Sequence, residues 1–161
     1  MSHPPQLTTS TIEWHASSFE CLTPSDLYAA MQLRQQVFVV EQACAYLDAD
    51  GADEVAQHLL GWRAIDGNRR LVAYARLFAP GIKYAEASIG RVVTHPDVRG
   101  SGAGRELLAE SVRLVDENGW GGQIRIAAQR YLEKFYAGFG FTRVTDPYLE
   151  DDIWHVDMLR E

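Results

Sequence analysis

Between Arg99 and Arg105 the sequence reads RGSGAGR, with glycines at Gly100, Gly102 and Gly104. A glycine backbone adopts positive φ and approaches a ligand closely. Successive N–H groups in such a turn form a concave anion nest. A helix opening directly after the turn adds unpaired N–H donors and the positive end of its dipole. Arg99 and Arg105 add charge-assisted hydrogen bonds to phosphate oxygens. These residue types suit a pyrophosphate, although on the glycines alone a plain connecting turn remains the competing reading. Two other phosphate motifs fail on spacing. Gly104 is followed by Arg105-Glu106, so the Lys-Ser/Thr of a P-loop is missing. The sixth position from Gly100 is Arg105, so GxGxxG is not satisfied either.

The elements that must position this loop are legible in outline. Thr23-Pro24-Ser25-Asp26 reads as a helix start, and Leu27, Ala30, Met31, Leu33, Val37 and Phe38 follow at helical spacing. Residues 59–65 and 70–78 read as strands joined by a DGNR turn. Residues 86–96 form a third strand closed by Pro96. Residues 105–117 form an amphipathic helix stopped by Asn118-Gly119, and 123–129 a further strand. A short helix over 130–139 and strands over 141–145 and 153–159 complete the chain. This order predicts a mixed α/β (α+β) domain, a central twisted sheet flanked by helices. Residues 1–10 read as a flexible N-terminal tail and 11–161 as one domain.

The loop can be written [Arg/Gln]-x-x-Gly-x-[Gly/Ala], preceded by a strand ending in VVTHP and opening a helix. This resembles the acetyl-coenzyme A loop of the GNAT superfamily of N-acetyltransferases. Residues 131–141, YLEKFYAGFGF, resemble that superfamily's later motif, a short helix carrying a tyrosine (Tyr136) and ending in Gly140-Phe141. One helix and one strand separate the two motifs, as the superfamily requires. In the first half, residues 33–53 (LRQQVFVVEQACAYLDADGAD), 56–62, 71–77 and 89–93 resemble the ElaA-like branch, with Ala45 standing where that branch usually has proline. The resemblance covers nearly the whole chain after the tail.

The resemblance implies a sheet splayed between its two central strands. It also implies transfer of acetyl from acetyl-CoA, as cosubstrate, to a primary amine by direct attack in a ternary complex. A lysine-like amine, with a pKa near ~10.4, must lose a proton before it attacks. The thioester oxygen, as it gains charge, needs a donor, and the departing thiolate benefits from a proton. By the same resemblance, the backbone of Val92, Val93 and Thr94 holds pantetheine, and the Val93 N–H is the oxyanion donor. Arg99, Gly100, Ser101, Gly102, Ala103, Gly104 and Arg105 hold the pyrophosphate, and Tyr136 is the general acid. The general base is open between Glu41, His58, His155 and His95. Glu41, His58 and His155 are expected to converge at the acceptor pocket, with Arg91 and Gln42 beside them. Arg91 either fixes that pocket or pairs with Glu41.

Composition narrows the class. The chain has 161 residues, 47% hydrophobic and 23% charged, with a net charge of −7. That balance disfavours nucleic acid and suits a small-molecule or peptide amine. No apolar run approaches the ~18–20 residues of a membrane span. Cys21 and Cys44 show no metal or disulfide framework, so both are expected to be packing residues in a cytoplasmic monomer or homodimer. The acidic stretch Asp48, Asp50, Asp53 and Glu54 either draws a cationic acceptor or is a solvated loop. Its DADGAD core lacks the terminal Glu of a calcium loop, since position 59 is Leu59, and no metal is expected. Two readings compete with catalysis of this kind: a non-catalytic acyl-CoA sensor, and an acyl-homoserine-lactone-type synthase.

Overall fold

The structure is a computed structural model and describes residues 11–161. The expected tail over 1–10 lies outside the described residues. Eight strands form one sheet: β1 (Glu13–Ser18), β2 (Gln57–Ile65), β3 (Asn68–Phe78), β4 (Ala87–Thr94), β5 (Ile124–Gln129), β6 (Phe141–Arg143), β7 (Tyr148–Glu150) and β8 (Ile153–Arg160). Their order is β1-β2-β3-β4-β5-β8-β6, with β7 also paired to β8. All neighbours are antiparallel except β4 and β5. The helices are α1 (Pro24–Arg34), α2 (Ala103–Glu117) and α3 (Glu133–Ala137). The sequence reading missed β1 and β7. Both are short and lack a long apolar alternation: β1 reads EWHASS with one buried residue, and β7 has none.

Helix α1 begins where its sequence demands. The Thr23 hydroxyl accepts the Asp26 N–H at 3.1 Å, and Pro24 occupies the first turn. Its core face buries Ala30 and Leu33 against Leu60, Leu71, Tyr74 and Val93. Beyond Arg34 the chain widens into a π-helical segment, Gln35–Glu41. Its phase shift turns Phe38, Glu41 and Gln42 toward the centre of the sheet, as π turns at functional sites often do.

The feature that matters for function lies at the middle of the sheet. Strands β4 and β5 pair at only two positions, Ala87 with Ile124 and Ser88 with Arg125, and then part. Here β5 stays with β8 through six pairs, Ile124↔Arg160 to Gln129↔His155. On its other edge β4 stays with β3 but carries a bulge. Tyr74 pairs with Val93 and Arg76 with Gly90, so Ala75 alone faces Arg91 and Val92. Arg91 stands at φ 51, a left-handed conformation rare for a residue with a side chain. The sheet is therefore splayed between its central strands, as expected.

Candidate active site

The splay opens into a cavity of about 720 Å³. Its floor is β4 from Ile89 to Thr94, its opposite wall is Ile126, Ala127 and Gln129 of β5, and the π segment closes one side. The β7–β8 hairpin turn closes the far end. There the Cys44 thiol donates to the Asp151 carbonyl at 3.4 Å, tying the hairpin to the loop after the π segment. Tyr136, Glu41, His155, Val92, Val93, Thr94, Arg99, Arg91 and Gln42 all line this cavity. Gly100 to Arg105 lie outside its lining and form the turn into α2.

That turn fits an anion. Gly100 and Gly102 stand at φ 76 and 90, and a Cβ on either would meet no protein atom within 4 Å. Gly102 caps α2 without a side chain, and the first helical hydrogen bond is Glu106 N–H to the Gly102 carbonyl at 3.1 Å. The N–H groups of Ala103, Gly104 and Arg105 precede that bond and point out of the helix start. A Cβ on Gly104 would sit 3.9 Å from the ring of Phe135, so the helix carrying Tyr136 passes close to the turn.

Tyr136 is 6% exposed, its ring edge-on to Phe135 and Phe141. No hydrogen bond joins its hydroxyl to another described residue, and the side chain lines the cavity. Burial pushes its pKa up, so it keeps its proton.

His155 is placed between strands, opposite Gln129 on β5 and Tyr148 on β7, and stacks on the Tyr148 ring. Its Nδ1 lies 2.8 Å from the Ile153 carbonyl. A carbonyl only accepts, so Nδ1 donates, and in the neutral ring Nε2 carries the lone pair. The nearest carboxylate, Glu150, is 3.9 Å from Nε2, too far for a hydrogen bond.

Glu41 is engaged differently. Its carboxylate takes both Nη groups of Arg99, one at 3.0 Å, and this bidentate pair holds its carboxyl below the usual range. Arg91 does not pair with Glu41. Instead it reaches Asp48, Nε to Oδ1 at 2.8 Å.

His58 does not join the others. It is fully buried and absent from the cavity lining. Its Nε2 donates to the Asp53 carbonyl at 2.8 Å and its Nδ1 accepts from the Tyr74 hydroxyl at 2.7 Å. Burial lowers its pKa, so it is a neutral packing histidine. His95 caps the turn at 96–98, its Nδ1 accepting the Asp97 N–H. The packing expectation also fails for Cys21, which is exposed, while Cys44 is partly buried at the cavity wall.

The acidic stretch is neither a solvated loop nor an open cationic site. Asp48 and Asp53 are buried. Arg34 binds Asp48 at 2.8 Å and Asp53 at 2.7 Å, while Arg76 binds Asp50 and Asp53. The signal was present in the sequence: Arg76 interrupts the apolar strand LVAYARLF, and a buried cation needs an anion. Lys83, Tyr84, Gln129, Glu150 and Asp151 also line the cavity and lie outside every family motif quoted, while Tyr46 and Tyr131 lie within such motifs with no role assigned to them.

A family profile described as an acetyltransferase (GNAT) domain matches residues 29–161. The chain belongs to the GNAT acetyltransferase family. It is 44% identical over 148 residues to a UPF0039 protein of Synechocystis, covering 92% of this chain and 94% of the relative. It is 40% identical over 152 residues to the Escherichia coli protein ElaA, covering 93% and 97%. It superposes on an acyl-CoA N-acyltransferase from Pseudomonas aeruginosa with a TM-score of 0.84 at 39% identity, over 92% and 99% of the chains. As a GNAT protein it is an acyltransferase and uses acyl-CoA. Among the described residues no helix is long and apolar enough to cross a membrane.

Proposed function

We propose that this protein transfers an acetyl group from acetyl-CoA to the primary amine of a small cationic acceptor, by direct attack. The observation that carries the reading is the shared cavity. A histidine with a free Nε2, an unpartnered tyrosine hydroxyl and a bulged strand meet in one splay. Acetyl-CoA supplies an activated carbonyl and a thiolate leaving group. His155 Nε2 takes the proton from the incoming ammonium. The Val93 N–H, the donor expected from sequence, is instead turned to β3, because Val93 pairs with Tyr74 in the same register as the His95 N–H to Val72 carbonyl bond. The N–H of Val92, which has no β3 partner, donates to the carbonyl oxygen. The Tyr136 hydroxyl donates to the departing sulfur. The first turn of α2, with Arg99 and Arg105, holds the pyrophosphate, and Val92 to Thr94 hold the pantetheine arm. Glu150 and Asp151 at the far end of the cavity attract the cation. Glu41 is the weaker choice of base, because Arg99 stabilises its ionised form. His58, buried with both nitrogens engaged, is left out of the mechanism.

The test is thiol release from acetyl-CoA against a panel of amines, with products weighed by mass spectrometry. Amine-dependent release with a mass gain of one acetyl supports the reading. Acyl-CoA binding without release for any amine overturns it in favour of a sensor, and lactone products would move the protein to the synthase class.

Two binding variants follow from the loop. Gly102→Val forces a β-branched side chain to φ 90 and puts its methyls over the anion nest. It is expected to weaken acetyl-CoA by about 10–100-fold, the worth of one or two hydrogen bonds to a charged group. Calorimetry on the folded variant reads the loss, and unchanged affinity removes the loop from the site. Glu41→Gln has the opposite sign. Glu41 and a pyrophosphate compete for the same guanidinium, so the variant is expected to bind acetyl-CoA roughly 2–5-fold more tightly, within the range of an exposed ion pair. Weaker binding would mean that Glu41 holds Arg99 in its binding position.

A further inference from the structure

Asp48 is engaged through both carboxylate oxygens and its backbone carbonyl, and no motif accounts for it. Its Oδ2 accepts Arg34 Nε at 2.8 Å. Its Oδ1 accepts both Arg91 Nε and the Tyr46 hydroxyl at 2.8 Å. Its backbone carbonyl accepts Arg34 Nη2 at 3.0 Å and Arg91 Nη2 at 3.2 Å. Arg34 has a second partner in Asp53, so its charge does not depend on Asp48 alone. Arg91 lies farther from its other carboxylate, Asp50, at 3.5 Å, and its guanidinium rests over the Tyr46 ring at 5.6 Å. The link thus runs from a buried anion in the 43–56 loop to the residue of β4 that stands at φ 51.

The position of that residue gives the link its meaning. Arg91 and Val92 have no partners on β3, and β5 has already left β4 at Ser88. Nothing in the sheet itself holds this piece of backbone, yet it forms the cavity floor. A left-handed backbone at a residue with a side chain persists only where its surroundings enforce it. We propose that Asp48 is a positioning residue. By clamping the Arg91 guanidinium it holds the β4 bulge, and through the bulge it aims the Val92–Val93 backbone at the donor carbonyl. The inference rests on the acyl-transfer reading for its effect on rate, but not for its effect on the bulge.

Glycine adopts positive φ unaided, and this allows the clamp to be tested. Arg91→Gly is expected to lose clearly less kcat than Arg91→Ala, because both remove the same guanidinium while glycine adopts the left-handed backbone without the clamp. Arg91→Ala keeps the Cβ and loses the clamp. Its kcat is expected to fall at least about tenfold, a share of the ~10²–10³ lost when an oxyanion donor is removed outright. Acetyl-CoA affinity by calorimetry is expected to be unchanged in both. Asp48→Asn should behave like Arg91→Ala, and adding Arg91→Gly to it should restore most of the loss. Because Asp48→Asn also weakens the Arg34 pair, its folding is checked by melting, and the Arg91 variants decide the question if it does not fold. Equal kcat losses in Arg91→Ala and Arg91→Gly overturn the proposal, as does a loss confined to acetyl-CoA affinity. The amide chemical shifts of Val92 and Val93 are read on the same proteins. They are expected to move in Arg91→Ala and to stay near parental values in Arg91→Gly. If the parent acetylates no amine, the acyl-transfer reading fails while these shifts still judge the bulge, and unmoved shifts in Arg91→Ala overturn the inference.

Discussion

His155→Ala is expected to lower kcat by about 10²–10⁴-fold, the usual worth of a general base, while leaving acetyl-CoA affinity unchanged. The direction follows from the ring's two nitrogens. Nδ1 is committed to the Ile153 carbonyl, which fixes the tautomer and leaves Nε2 to accept a proton. Removing the ring leaves the amine to lose its proton in solution. Activity should then climb with pH as the free fraction of an amine with a pKa near ~10.4 rises. Added imidazole should recover part of the rate by occupying the space left by the ring, an effect that a merely structural histidine would not show. Steady-state kinetics at several pH values, with and without imidazole, read both effects. A variant with parental kcat, or one that loses acetyl-CoA binding instead, removes His155 from the role of base.

Tyr136→Phe is the second large effect, a loss of about 10²–10⁴-fold in turnover if the hydroxyl delivers a proton to the departing sulfur. The substitution is unusually clean here. The ring packs edge-on against Phe135 and Phe141, and phenylalanine keeps those contacts. No hydrogen bond joins the hydroxyl to another described residue, so its removal leaves no orphaned group, and the melting temperature should not fall. Burial raises the tyrosine's pKa, so the hydroxyl keeps its proton until the sulfur departs. Rapid-quench measurement of a single turnover isolates the chemical step. A loss near tenfold would mark an orienting hydrogen bond, and an unchanged single-turnover rate would end the catalytic assignment.

Much of this protein is written locally. The Thr23–Asp26 cap, the amphipathic run of α2 and the glycines of the turn act over a few residues, so their spacing alone located those elements and the positive-φ turn. The motif around Tyr136 is also local, and its hydroxyl does reach the cavity. The acceptor end was not legible in the same way. Glu41 and His155 meet one cavity while His58 does not, although as letters the two histidines are equivalent. Their difference lies in partners far along the chain: Tyr74 and the turn at Asp53 enclose His58, whereas β5, β7 and the Ile153 carbonyl orient His155 at the rim. Asp48 and Arg91 are 43 residues apart, and an acidic stretch read alone looks solvated. The sequence by itself determined most of the elements, the glycine turn and the family. The tertiary structure decided which carboxylates are buried, which histidine keeps a free nitrogen and where the central strands part. Charge pairing, burial and strand divergence depend on residues brought together from distant parts of the chain, and a pattern of neighbours carries no record of them.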